Sequence, residues 1–116
     1  DMYELGSKSI FYHRKLIPII KKTNPKTLIT VGNFSKVLTD YFKDQFTCKN
    51  YLNVKILKKR FENHVKDNDT IFIKGSHGTG LFDFCIYLKK VYGGWPQIVS
   101  RNIFELCWLF PAVKCI

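Results

Sequence analysis

A chain of 116 residues has room for one domain, and its 46% hydrophobic and 16% aromatic content is ample for a packed core, which excludes a disordered segment. Nineteen Lys and Arg against nine Asp and Glu give a formal net charge of +10, a balance that invites nucleic acid, nucleotide or an acidic membrane surface. The Lys residues are dispersed, however, and the longest basic run is Lys58-Lys59-Arg60 within a helical pattern. The charge therefore reads as solvated helix faces, and no specific nucleic-acid partner is expected.

Asp1-Met-Tyr-Glu-Leu-Gly6 reads as a loop closed by its glycine. Ser7 or Ser9 can cap a helix running to about Lys22, with Tyr12, Leu16, Ile19 and Ile20 on one face and a kink at Pro18. Asn24-Pro25 ends that helix, and residues 27–31 form a short buried strand stopped by Gly32. Phe34, Val37, Leu38, Tyr41 and Phe42 follow helical spacing, and a weak strand passes through 46–48. Val54, Leu57, Phe61 and Val65 stripe a third helix. After the turn at 67–69, residues 70–73 are the second clear strand, and Leu81, Phe84, Cys85, Leu88 and Val91 stripe the last helix, closed by Gly93-Gly94. Strands alternating with helices predict an α/β fold, a Rossmann-like three-layer domain with a mostly parallel sheet. Residues 27–31 and 70–73 are expected to be neighbouring parallel strands. With only two strong strands the sheet is incomplete at its N-terminal side, where a strand is expected before Asp1.

Cys48, Cys85, Cys107 and Cys115 form no Cys-x-x-Cys pair and have no His at metal-ligand spacing. A reduced, cytoplasmic protein without a bound metal is the reading. The most apolar stretch, 103–113, is too short for a membrane span and is interrupted by Glu105.

The chemistry concentrates in Lys74-Gly-Ser-His-Gly-Thr-Gly80, a glycine-rich turn between a strand and a helix. Loops after strands 27–31 and 70–73 should share one sheet edge, bringing Lys74, Ser76 and His77 beside Asp1 and Glu4. A helix N-terminus near Thr79 adds free N–H groups suited to a carboxylate or phosphate. The turn is not a phosphate-binding P-loop. Gly75 and Gly80 have the spacing, but Leu81-Phe82 stands where Lys and Ser or Thr are needed. Nor is it a dinucleotide fingerprint, since Asp83 takes the place of the third glycine. On spacing alone, a purely geometric turn and a binding site stand level. His13 and His64 read as helix-surface or core-edge residues.

Four strings in register resemble the C-terminal domain of the bacterial Mur ligases. Asp1-Met-Tyr-Glu-Leu-Gly6 is similar to the family's Gly-Asp-Met-x-Glu-Leu-Gly loop, and His13 matches a histidine of the following helix. Leu28-Ile-Thr-Val-Gly32 resembles its central strand, and Asn68-Asp-Thr-Ile-Phe-Ile-Lys-Gly-Ser76 resembles the strand and loop of members that add D-alanyl-D-alanine. The resemblance covers residues 1–93; residues 94–116 form a tail unlike the family. It implies the substrate-closing domain of an ATP-dependent amide ligase of peptidoglycan synthesis, in which D-alanyl-D-alanine is joined to a UDP-muramoyl-tripeptide. ATP and Mg2+ would be bound mainly by the family's central domain and the UDP-precursor by its N-terminal domain; both would be this domain's partners and are not in the sequence. Lys74, Ser76, His77 and Thr79 carry over as a loop beside the incoming dipeptide, although His77 stands where relatives usually have Arg. The chain alone is then expected to be inactive. A small basic nucleic-acid-binding module and an inactive ligase remnant are the rival readings.

Overall fold

The computed structural model describes residues 1–92 and 113–115. They form a small α/β domain with a parallel sheet. The first helical stretch is two helices, α1 (Ser9–Arg14) and α2 (Ile17–Thr23). Pro18 does not kink one long helix. It lies in the first turn of α2, where its missing N–H would have no helical partner anyway. Asn24 ends α2 in the left-handed conformation (φ 49°), its N–H donating to the Ile20 carbonyl at 3.0 Å.

Strand β1 (Thr27–Val31) is buried along its whole length, as expected of a strand covered on both faces. Helix α3 (Lys36–Phe42) leads to β2 (Thr47–Tyr51), which pairs with β1 in parallel, Thr27 opposite Thr47 through Val31 opposite Tyr51. Asn53 caps α4 (Val54–Arg60), its Oδ1 accepting the Ile56 N–H at 3.0 Å, and a 3-10 turn (Phe61–His64) follows. Then come β3 (Thr70–Phe72), a 3-10 turn (His77–Thr79), α5 (Leu81–Tyr92) and β4 (Val113–Cys115).

The strand order is β2-β1-β4-β3, all pairs parallel. β1 and β3 thus share a sheet without being neighbours, because β4 pairs with both. That corrects the expected adjacency. Helix closure at Gly93-Gly94 and the rest of the tail lie outside the described residues.

The alternation of β1 divides the core. Leu28 packs with Leu38 and Phe42, bordered by Leu16, Ile17 and Ile20. Ile29 and Val31 pack with Leu57, Phe61, Ile73, Leu81, Phe84 and Leu88. Phe61 meets Phe84 edge to face at 5.0 Å, and the Lys58 ammonium lies 3.8 Å from the Tyr87 ring centroid, tying α4 to α5. Each fully buried Leu or Phe contributes on the order of 1.5–3 kcal/mol from burial. Four of the five stripe positions of α5 are buried; Val91, in the last turn, is exposed. No helix among the described residues is long and apolar enough to cross a membrane.

Candidate functional site

The carboxyl end of the sheet gathers three loops: residues 1–6, residues 32–35 after β1, and residues 74–80 after β3. Each is built differently. Asp1 is the anchor of the first two. Its backbone nitrogen donates to the Val31 carbonyl at 2.9 Å. Its carboxylate accepts three consecutive backbone N–H groups: Asn33 on Oδ2 at 3.1 Å, and Phe34 and Ser35 on Oδ1 at 3.1 and 2.7 Å. Gly32 makes room for this arrangement. At φ +119° it adopts a backbone that L side chains rarely reach, and a Cβ there would stand 2.3 Å from the Asp1 Cγ. The Asn50 amide ties the same turn to β2, donating to the Gly32 carbonyl at 3.0 Å and to Thr30 Oγ1 at 2.8 Å.

His13 is a buried strut of the opening loop, 1% exposed, not a surface or core-edge residue. Its Nε2 accepts the Met2 N–H at 3.0 Å, which leaves the proton on Nδ1, donated to the Ser9 carbonyl at 2.7 Å. Burial lowers its pKa, and the Ser9 bond opposes this. Neutral His13 therefore makes no ion pair with Asp1, whose Oδ1 lies 3.9 Å away. His64, half-buried, meets the Tyr51 hydroxyl at 2.5 Å.

The glycine-rich loop closes on itself through hydroxyls. The Thr79 hydroxyl donates to the Ser76 carbonyl at 2.6 Å and the Thr79 N–H reaches the same oxygen at 3.0 Å, while Gly80 turns the chain into α5 at φ 77°. A Cβ on Gly75 would stand 2.4 Å from Leu81 Cδ1. The opening loop reaches across to this turn. The Tyr3 N–H donates to Ser76 Oγ at 3.3 Å and the Tyr3 hydroxyl donates to the Gly78 carbonyl at 3.3 Å.

The expected meeting of the opening loop with the 74–80 loop is thus present, with Tyr3 as its contact. Lys74 stands two residues beyond the end of β3 and is half-buried. Ser76 is extended, and with its oxygen accepting Tyr3 it keeps a proton to donate. His77 opens the 3-10 turn. Thr79 turns inward on the loop, so its hydroxyl is committed to the turn. Asp1 is structural, not an acid or base, and Glu4 is an exposed residue at φ 63°. Sequence reasoning missed Tyr3 and misjudged His13. The Ser9–His13 spacing of four, which aligns two polar residues on one helix face, was the available signal. Among the described residues no three His, Cys, Asp or Glu side chains gather where a metal ion could be held. Among the described side chains of this edge, Lys74 supplies a cation and Ser76 a hydroxyl proton, donors suited to binding an anion.

No family model, curated protein or solved structure matches this chain.

Proposed function

We propose that residues 1–93 are the C-terminal, substrate-closing domain of a Mur ligase that adds D-alanyl-D-alanine to UDP-N-acetylmuramoyl-tripeptide, on a Rossmann-like three-layer α/β fold. The observation that supports this best is the contact between the two motif strings. Tyr3 and Ser76, 73 residues apart, lie within hydrogen-bond distance on one sheet edge, as a shared substrate loop requires. Apolar clusters built from alternate β1 residues accord with helices on both faces of the sheet.

In this reading Lys74 and the Ser76 hydroxyl bind the carboxylate of the dipeptide and orient its amine; His77 is a further loop contact, and Thr79 keeps the turn in shape. ATP and Mg2+ belong to the preceding domains. The glycine turn has no lysine or hydroxyl at the positions that phosphate and magnesium require, so neither group is assigned to residues here.

The test is a chimera in which residues 1–93 replace the corresponding domain of a bacterial D-alanyl-D-alanine-adding ligase, assayed for amide formation against dipeptide concentration. Lys74→Ala should raise the dipeptide KM by roughly 10- to 150-fold, the equivalent of about 1.5–3 kcal/mol for one charge-assisted hydrogen bond, with Ser76→Ala acting in the same direction more weakly. Unchanged dipeptide dependence in both would make the loop a turn only. ATP hydrolysis by the isolated chain would refute the division of labour.

A further inference from the structure

The first helical pair has an outer surface that the ligase reading leaves without a role. Residues 5–39 contain seven Lys and Arg and not one Asp or Glu. The first acid after them, Asp40, is already paired with Lys36 at 2.7 Å. Within this stretch α1 turns Ser9 and His13 inward, both buried, and presents Ile10, Phe11 and Tyr12 at 41%, 56% and 38% exposure. Arg14, Lys15 and, just before the helix, Lys8 are exposed around them. Lys15 folds its stem back so that its ammonium lies 4.7 Å from the Phe11 ring centroid and 5.5 Å from that of Tyr12. Phe11 thus projects from the outer side of this short helix with Lys8, Arg14 and Lys15 at neighbouring positions, and Ile10 and Tyr12 lie on its two flanks.

We propose that α1 is a peripheral docking surface for an anionic lipid bilayer, with Phe11 entering the headgroup boundary and Lys8, Arg14 and Lys15 meeting lipid phosphates. The charge of Lys8, Arg14 and Lys15 is complementary to lipid phosphate, and an aromatic side chain beside snorkelling cations suits the water–hydrocarbon boundary. A nucleic acid offers the same charge but stacks its bases on open ring faces. Here Phe11 and Tyr12 meet edge to face at 5.3 Å, their rings already engage Lys15, and Ile10 has no ring to offer.

The experiment is co-sedimentation of the full chain with vesicles of equal parts phosphatidylglycerol and phosphatidylcholine, against vesicles of phosphatidylcholine alone. Binding is expected to the anionic vesicles and to weaken as salt is raised. Phe11→Ser and the pair Arg14→Glu with Lys15→Glu should each weaken it by at least about tenfold, with circular dichroism showing the fold intact. Tyr41→Ser, which removes a half-exposed ring from α3, should leave binding unchanged and controls for general surface apolarity. Equal binding to neutral vesicles would overturn the proposal. So would wild-type binding by both folded α1 variants, or retention of a single-stranded oligonucleotide in preference to vesicles.

Discussion

The loops that follow β1 and β3 stand on the same sheet edge and are held in opposite ways. The first is fixed by a carboxylate that accepts three successive amides at 2.7–3.1 Å, by a glycine whose φ suits few other residues, and by a side-chain amide from the neighbouring strand. The second is held by neutral hydroxyl groups, its bonds to the opening loop are 3.3 Å long, and Gly75 and Gly78 are exposed. Charge-assisted bonds in a partly desolvated turn are stiffer than neutral bonds at a wet surface. In the proposed reading the difference separates scaffold from recognition. The stiffer joint keeps Asp1 and Tyr3 in place, and the softer loop is the one proposed to settle around a ligand.

Substitution at the two glycines should break this contrast if it is wrong. Gly32→Ala forces a strained φ and drives a methyl into Asp1, so it should cost about 2–5 kcal/mol in urea unfolding. Gly75→Ala keeps an unstrained φ and meets the packed end of Leu81 and the Thr79 hydroxyl, and should cost less than Gly32→Ala, about 1–3 kcal/mol. Equal costs would erase the distinction.

Next in size is Asp1 itself. Asp1→Ala leaves three loop amides without their acceptor and should lower stability by about 1.5–3 kcal/mol, with Asp1→Asn recovering part of the loss. Ser76→Ala, the matching change in the softer loop, should remove only about 0.5–1.5 kcal/mol, because a single long neutral bond is lost.

A smaller effect separates the loops by pH. The folded pKa of His13 is lowered, so the unfolded chain takes up this proton first. Its contribution to stability is complete above 6.5, the ordinary value, and is lost as pH falls below 6.5 towards the folded value. The midpoint of urea unfolding should therefore drop across that window, and His13→Gln should flatten the drop. A slope unaltered by His13→Gln would assign the acid sensitivity elsewhere.

Much of this architecture was legible in the residues, for reasons that also explain the gaps. Strand β1 and the stripe of Leu81, Phe84, Cys85 and Leu88 were visible because burial selects apolar residues at fixed periods. The meeting of the opening loop with the 74–80 loop followed from strand direction, since loops after parallel strands lie at one end. The place of β4 between β1 and β3 was not legible, because three residues carry too little pattern to reveal which strands they join. Pro18 was read as a kink where a helix start suits it equally, and only the break at Lys15 and Leu16 decides between them. His13 and Tyr3 were hidden for a common reason. Their partners are backbone atoms, and backbone atoms leave no trace in residue type.

The reach of Tyr3 across 73 residues to Ser76 has a kinetic meaning. Parallel pairing of β1 with β2 joins positions about twenty residues apart through α3, a short closure that can form early. The opening loop can touch the glycine turn only after the intervening helices and strands have docked. The edge assigned to substrate is therefore a late product of folding, absent from partly folded forms. Weakening it should quicken unfolding and leave the rate of folding almost untouched.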